Sequence, residues 1–229
     1  MENNQFTNMQ KSAYSEGTSN HLEHNDNPDY WGILLGDLKD KKKWKGKYAL
    51  DFACGKGRNV TNMLSLADWK RVDGIDISEG NIQYCKETYD ADKSQWFCNN
   101  GIDLADLESN KYSFAMSTIA LQHIPVYSIR KNIITEILRT LEPGGLFSFQ
   151  MGYGTDLSDS MGRPRSGYHE DSFDAGGTNS LHDVRVQSEA EVIDDLKAIG
   201  FTTVETFVRD TFSDYGHPQW IYVKAYKSL

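Results

Sequence analysis

Three features of the 229-residue chain predict a three-layer α/β/α domain. Its expected centre is a doubly wound, mostly parallel seven-stranded sheet with an antiparallel last strand. Short apolar runs alternate with helically spaced apolar stripes from Lys47 to Met151, the pattern of parallel strands joined by crossover helices. The first run ends in a glycine-rich turn that opens a helix. The last two runs are separated only by Asp210 to Gln219, too short a stretch for a crossover helix, so they pair as a hairpin.

The elements follow in order. Residues 1–29 are rich in Asn, Ser, Glu and His, with isolated aromatics at Phe6 and Tyr14, and read as a mobile arm that orders on ligand binding. Tyr30 to Leu38 carries Trp31, Ile33, Leu34, Leu35 and Leu38, a short helix. The expected organisation is an arm and lid over 1–38 and a single domain over 39–229. Tyr48 to Phe52 is a buried strand, followed by a helix through Val60, Met63, Leu64 and Ala67. Val72 to Ile77 is the second strand, and Ser78 caps a helix through Ile82, Cys85 and Tyr89. Gln95 to Cys98 and Tyr112 to Ile119 are strands three and four. Pro125 suits the first turn of a helix with Ile129, Ile133 and Ile137 on its inner face. Glu142-Pro-Gly-Gly stops it before a strand over Leu146 to Met151. Residues 152–187 hold six of the 19 glycines and little periodicity, a long excursion of the kind that carries function. Ser188 and Glu191 form a capping box for a helix ended by Gly200. Phe201 to Val208 and Trp220 to Tyr226 close the sheet.

Composition narrows the function classes. With 24 basic against 33 acidic residues the net charge is −9, which argues against a nucleic-acid partner, since binders of phosphate backbones carry a basic face. Six lysines between Lys39 and Lys47 are read as a solvated helix end. Cys54, Cys85 and Cys98 show no metal-ligand spacing and fit a reducing compartment, so the expected location is cytoplasmic. No apolar stretch is long enough to span a membrane. No metal is expected.

Four groups of residues carry chemistry. Asp51-Phe-Ala-Cys-Gly-Lys-Gly-Arg58 sits where a strand meets a helix. Gly55 and Gly57 let backbone approach a ligand, and the acid at Asp51 suits a cation better than a pyrophosphate. Val60 stands where a dinucleotide fingerprint has its third glycine. Asp76 ends the second strand, at the distance expected of a ribose-binding acid. Asn99-Asn100-Gly101-Ile102-Asp103 follows the third strand. Ser117 and Thr118 open the fourth strand onto the carboxyl edge of the sheet, ahead of Leu121 and His123.

In this order the motifs resemble the class I, Rossmann-like S-adenosylmethionine-dependent methyltransferases, in their small-molecule branch, from about Tyr48 to Gly145 with the tail from Ser188 to Tyr226. The resemblance implies S-adenosyl-L-methionine as cofactor and S-adenosyl-L-homocysteine as product. It implies that Asp51 and the turn Ala53, Cys54, Gly55 and Gly57 face the methionine part. It places Asp76 at the ribose and Asp103 at the adenine amine with Ile102 on a ring face, and Ile77, Asn100 and Gly101 belong to the same cofactor site. Ser117 and Leu121 complete the cofactor site. Two departures are visible: Ser113 stands where the fourth strand usually begins with Asp, and Cys54 occupies a position often filled by Gly.

The implied activity is methyl transfer to an O or N atom of a small-molecule metabolite. A protein-directed methyltransferase and a non-catalytic S-adenosylmethionine-binding protein are the alternatives. His123 and Tyr153 are the catalytic candidates. Tyr14, Trp31, Tyr153, Arg163, Arg165, Tyr168, His182 and Arg185 are the candidate substrate contacts, the three arginines suiting a carboxylate or phosphate. His169, Asn179, Asp183 and His217 add to the polar density there. A monomer or homodimer is expected.

Overall fold

The computed structural model describes residues 2–14, 28–36, 41–158, 165–171, 183–210 and 217–229. Strands β1 (Tyr48–Phe52), β2 (Arg71–Asp76), β3 (Trp96–Cys98), β4 (Tyr112–Thr118) and β5 (Leu141–Tyr153) are parallel. Helix α3 (Arg58–Leu66) connects β1 to β2, α4 (Glu79–Thr88) connects β2 to β3, and α5 (Tyr127–Thr140) connects β4 to β5. After α6 (Glu189–Ile199), strands β8 (Thr203–Asp210) and β9 (Gln219–Tyr226) form the predicted hairpin. The seven-stranded order is β3-β2-β1-β4-β5-β9-β8, with β9 antiparallel to both neighbours. The chain reverses direction of winding between β1 and β4. That switch point leaves a crevice at the carboxyl ends of the strands, where open α/β sheets bind ligands.

Period-two alternation sends strand side chains to two apolar layers. Leu50 and Phe52 face one layer with Ala115, Phe147, Phe149 and the isoleucines of α5. Ala49, Val72, Phe114 and Met116 face the other, under α3 and α4. The predicted caps are present: Ser78 Oγ accepts from the Asn81 amide at 3.2 Å, and Ser188 and Glu191 form the capping box of α6. Ser113 is anchored through Glu142, whose Oε1 accepts from Ser113 Oγ and from Lys47 Nζ, both at 2.8 Å. Beside it, the Tyr112 hydroxyl donates to Asp73 on β2 at 2.9 Å. The start of β4 is therefore held without an aspartate of its own.

The structure corrects four expectations. Residues 2–14 are a helix, α1 (Glu2–Tyr14), not an arm. Phe6, Thr7 and Gln10 are buried along one stripe, and Phe6, 1% exposed, belongs to the same apolar cluster as Phe52 and Leu121. Pro125 lies just before the N-cap, Val126, rather than in the first turn of α5. Strand β5 is assigned from Leu141, with a register shift opposite Tyr112 to Phe114 that absorbs the glycine pair. The excursion is built, where described, on β5 itself. Val186 donates to Gly152 O and accepts from Gly154 N, each at 3.0 Å. A short parallel ribbon, β6 (Ser166–Gly167) with β7 (Val184–Arg185), continues from there.

Trp31 sits on the remaining helix, α2 (Pro28–Leu35). It is wholly buried with Leu34 and Leu35 in the α3/α4 layer. Its apolar surface is used in the core, which is why the sequence pattern of an exposed aromatic over a cavity does not hold for it.

Candidate active site

The glycine turn between β1 and α3 is shaped by positive backbone angles at Ala53 (φ 59°), Gly55 (53°) and Gly57 (84°). Gly57 is the N-cap of α3, and a β-carbon there would stand 2.7 Å from Trp96 and 2.8 Å from Tyr89. The turn is therefore packed at Gly57 against an aromatic floor. Ile119 (φ 56°), just past β4, is a second non-glycine residue in this region of conformational space. Such strain concentrates at functional sites.

Asp51 lies at the base of the turn, 1% exposed. Neither of its oxygens has a hydrogen-bond partner among the described residues. Burial pushes its carboxyl up to about 8, with the help of the Asp76 charge and against the pull of Arg58 and of the neighbouring Asn59 side chain. The buried Ser117 Oγ and Asn59 Oδ1 are likewise unpartnered. The large majority of buried side-chain polar atoms in proteins are satisfied, so these orphans on β1, β4 and the start of α3 point to polar partners from outside the chain.

Asp76 closes β2 and holds two turns at once. Oδ2 accepts from the Gly55 amide at 2.8 Å, and Oδ1 accepts from the Ser78 amide at 2.9 Å and from Asn81 Nδ2 at 3.4 Å. Burial raises its carboxyl, with these bonds opposing. Oδ2 keeps a lone pair for a further donor. After β3, Asn99 Oδ1 accepts from Gly101 N at 2.8 Å. Asn100 Oδ1 accepts from Ile102 N (2.7 Å) and Asp103 N (2.9 Å). Asn100 also donates to Asp103 Oδ1 at 3.0 Å. Gly101 has φ 84°, and a β-carbon on it would meet Ile77 at 2.8 Å and Thr7 of α1 at 3.1 Å. A cavity of about 250 Å³ opens there, lined by Lys11, Ile75, Glu79, Cys98, Asn100 and Asp103 among others.

The other side of the crevice is organised by Asp183. Its Oδ1 lies 2.6 Å from His123 Nδ1, and its Oδ2 lies 3.5 Å from His217 Nε2 and 3.6 Å from Arg165. Leu121, buried, and His123, one-third exposed, follow β4, and Gln10 of α1 donates to the His123 carbonyl. Tyr14 has its phenol raised by burial and then by the charges of Asp183 and Asp76. It therefore stands within electrostatic reach of both halves. Tyr153, half-buried, ends β5 next to Val186.

Two candidates are turned elsewhere. Tyr168 is buried, its hydroxyl on Asp195 of α6 at 3.0 Å and its carbonyl accepting from the buried Arg130. Arg185 is buried too, donating to the carbonyls of Asp156 and Ser158 and to His217 Nδ1 at 3.3 Å. Both polar ends are spent inside the fold, which density of polar residues in sequence does not reveal. Arg163 and His182 lie outside the described residues. The sequence reading passed over Thr7, Gln10 and Asn59, and gave Asp183 no role of its own. The spacing of Phe6, Gln10 and Tyr14 at i, i+4, i+8 was the available signal for α1.

Among the described residues no helix is long and apolar enough to cross a membrane, and no cluster of His, Cys, Asp or Glu is placed to hold a metal ion. Residues 50–149 match the family model described as a methyltransferase domain. No curated protein sequence matches the chain significantly. Solved structures share its fold. A Burkholderia thailandensis 1,6-didemethyltoxoflavin-N1-methyltransferase is 15% identical, with a TM-score of 0.65 over 98% of this chain and 88% of that one. An S-adenosylmethionine-dependent methyltransferase of Mesorhizobium loti is 17% identical, with a TM-score of 0.57 over 80% and 92%. The [4+2]-cyclase SpnF is 16% identical, with a TM-score of 0.57 over 99% and 93%. Residues 50–149 thus match a methyltransferase domain, and the strand order is that of the Rossmann-like methyltransferase fold.

Proposed function

We propose that this protein transfers a methyl group from S-adenosyl-L-methionine to an O or N atom of a small-molecule metabolite. The observation that carries this reading is the buried Asp51 carboxyl at the base of the glycine turn, whose oxygens meet no hydrogen-bond geometry among the described residues. A cationic ligand would pair with it and relieve its desolvation, as a pyrophosphate would not. In this reading Asp51 and the turn from Ala53 to Gly57 take the amino-acid end of the cofactor. Asp76 takes a ribose hydroxyl on the remaining lone pair of Oδ2. Asp103 takes the adenine amine, with Ile77 and Ile102 against the ring. When bound, the cofactor supplies an electrophilic methyl group on a sulfonium sulfur. The chain's own work is to align the acceptor with that methyl and to keep water away.

The small-molecule assignment rests on cover. α1 lies across the adenine side through Thr7 and reaches His123 through Gln10, and the β6–β7 ribbon continues from the end of β5. The Burkholderia relative, solved with 1,6-didemethyltoxoflavin and S-adenosylhomocysteine bound, is an instance of this fold holding a small acceptor. The fold of SpnF, a cyclase, keeps a second reading open, in which the chain binds the cofactor without methyl transfer.

Calorimetry with S-adenosylmethionine should show saturable one-to-one binding and none with NAD; absence of binding would end the reading. Release of S-adenosylhomocysteine in a metabolite extract then separates transfer from binding alone. Asp76→Ala should weaken cofactor binding by about 1–3 kcal/mol, the loss of hydrogen bonds to a charged acceptor. Unchanged affinity by the same calorimetry would remove Asp76 from the ribose.

A further inference from the structure

The main sheet ends on two unlike edges. β3 is three residues long, and so short an edge offers little to pair with. β8 is eight residues long, Thr203-Val-Glu-Thr-Phe-Val-Arg-Asp210, and among the described residues its outer edge pairs with no strand. Thr203, Val204, Thr206 and Val208 are β-branched and Phe207 is aromatic, a composition that favours extended pairing. The strand holds neither the lysine nor the proline with which natural edges are blunted. We propose that β8 is the interface of a homodimer, in which it pairs antiparallel with the same strand of a second copy and the two sheets become one. The inference goes beyond the methyltransferase reading and does not rest on it, since no residue of β8 belongs to the crevice.

Alternation divides β8 into two faces. Val204, Thr206 and Val208 are half-buried on the side of α6, where the Thr206 hydroxyl donates to Glu189. Thr203, Glu205 and Phe207 are exposed on the other side, with Arg209 half-buried beside them. Phe207 rests on Tyr222 of β9, ring centroids 6.4 Å apart, yet keeps 51% of its surface in solvent. Arg209 hydrogen-bonds Tyr222 as well. A guanidinium carries five donors, so one contact with a phenol does not exhaust it. Glu205 lies opposite Lys224 within its own sheet.

Two-fold symmetry decides which residues meet. In an antiparallel pair of identical strands, side chains of one face meet their own kind when the axis passes through a residue rather than between two. An axis through Glu205 sets glutamate against glutamate, and one through Arg209 sets arginine against arginine. An axis through Thr206 leaves Glu205 against a phenylalanine, and one through Val208 does the same to Arg209. The axis through Phe207 pairs opposite charges. Glu205 then faces Arg209 of the partner subunit, twice by symmetry, and the two half-exposed phenylalanine rings meet between these pairs. On the α6 side Thr206 meets Val208 of the partner subunit. Backbone hydrogen bonds along the edge supply the affinity of such an added strand, and the side-chain pairs set its register.

This axis stands perpendicular to the sheet and reverses strand direction across the seam. The carboxyl ends of β1 and β4 therefore point opposite ways in the two copies. β5 and β9 lie between that switch point and β8, so the seam covers neither crevice.

Sedimentation equilibrium of the full chain at micromolar concentration should give the mass of two chains. Phe207→Ser, Glu205→Arg and Arg209→Glu should each weaken the dimer roughly tenfold or more. Circular dichroism and melting curves like those of the wild type identify the folded variants. Mixing the Glu205→Arg and Arg209→Glu chains should restore the dimer, because each mixed pair sets opposite charges together at both contacts. Damage to either chain cannot produce that rescue. Phe207→Ser, at a half-exposed position, keeps the test decisive should a charge variant not fold. A monomeric wild type, a dimer indifferent to Phe207→Ser, or folded charge variants that stay apart on mixing would each overturn the proposal.

Discussion

Asp51→Asn is expected to cost about 3–5 kcal/mol of S-adenosylmethionine affinity, roughly two to four orders of magnitude in Kd, the scale of removing one partner from a buried ion pair. The same substitution should make the ligand-free protein more stable above pH 8. The reason is the sign of the shift. In the folded chain the Asp51 carboxyl is raised by burial to about 8, above its unfolded value of 3.8. A raised acid contributes stability that is complete below the unfolded value and is lost as pH climbs through the folded one. Wild-type stability should therefore decline between about pH 4 and pH 8, and Asp51→Asn should remove that part of the slope. A bound cation reverses the preference and favours the ionised form. Cofactor affinity should accordingly rise with pH towards 8, with proton release on binding, and Asp51→Asn should abolish this dependence. Calorimetry in buffers of different ionisation enthalpy and melting curves across pH measure both. Wild-type affinity retained in Asp51→Asn would take Asp51 out of the cofactor site.

Much of this site was legible because its signals are local. A strand, a pair of glycines and a helix start occur in one short stretch, and Asp76 and Asp103 each end a strand or follow one. Backbone chemistry forces those positions, so a reader of the sequence finds them. The acceptor side was harder for a physical reason. Asp183 meets His123 across 60 positions and His217 across 34, and the contact depends on Val186 pairing with the end of β5. No periodicity encodes such a meeting. Arg185 and Tyr168 show the converse limit. Sequence counts their polar groups, but only packing shows that they are consumed by backbone carbonyls and by Asp195. α1 was missed because its buried stripe mixes one aromatic with Thr7 and Gln10. A helix that covers a polar crevice does not carry the apolar face of a core helix.

That misreading yields the second large effect. An unattached arm could be removed with no change in melting temperature. Deleting residues 1–14 should instead lower Tm by roughly 6–20 °C, because the loss of Phe6 alone leaves a cavity worth about 3–5 kcal/mol. Phe6→Ala should reproduce most of that fall, since Phe6 is buried in the main cluster whereas Lys11 and Tyr14 are not. Gln10→Ala should behave in the opposite way. It leaves the core intact but frees the His123 carbonyl and the loop that carries it. Its Tm should stay within a few degrees of wild type while turnover falls. The two variants together separate the helix as core from the helix as cover. If cofactor binding also draws on α1, through Thr7 against Gly101, saturating S-adenosylmethionine should raise the Tm of the truncated chain by less than that of the full one, since ligand stabilisation scales with affinity. Equal melting temperatures for truncated and full chains, with activity alone reduced, would restore the mobile arm and remove α1 from the core.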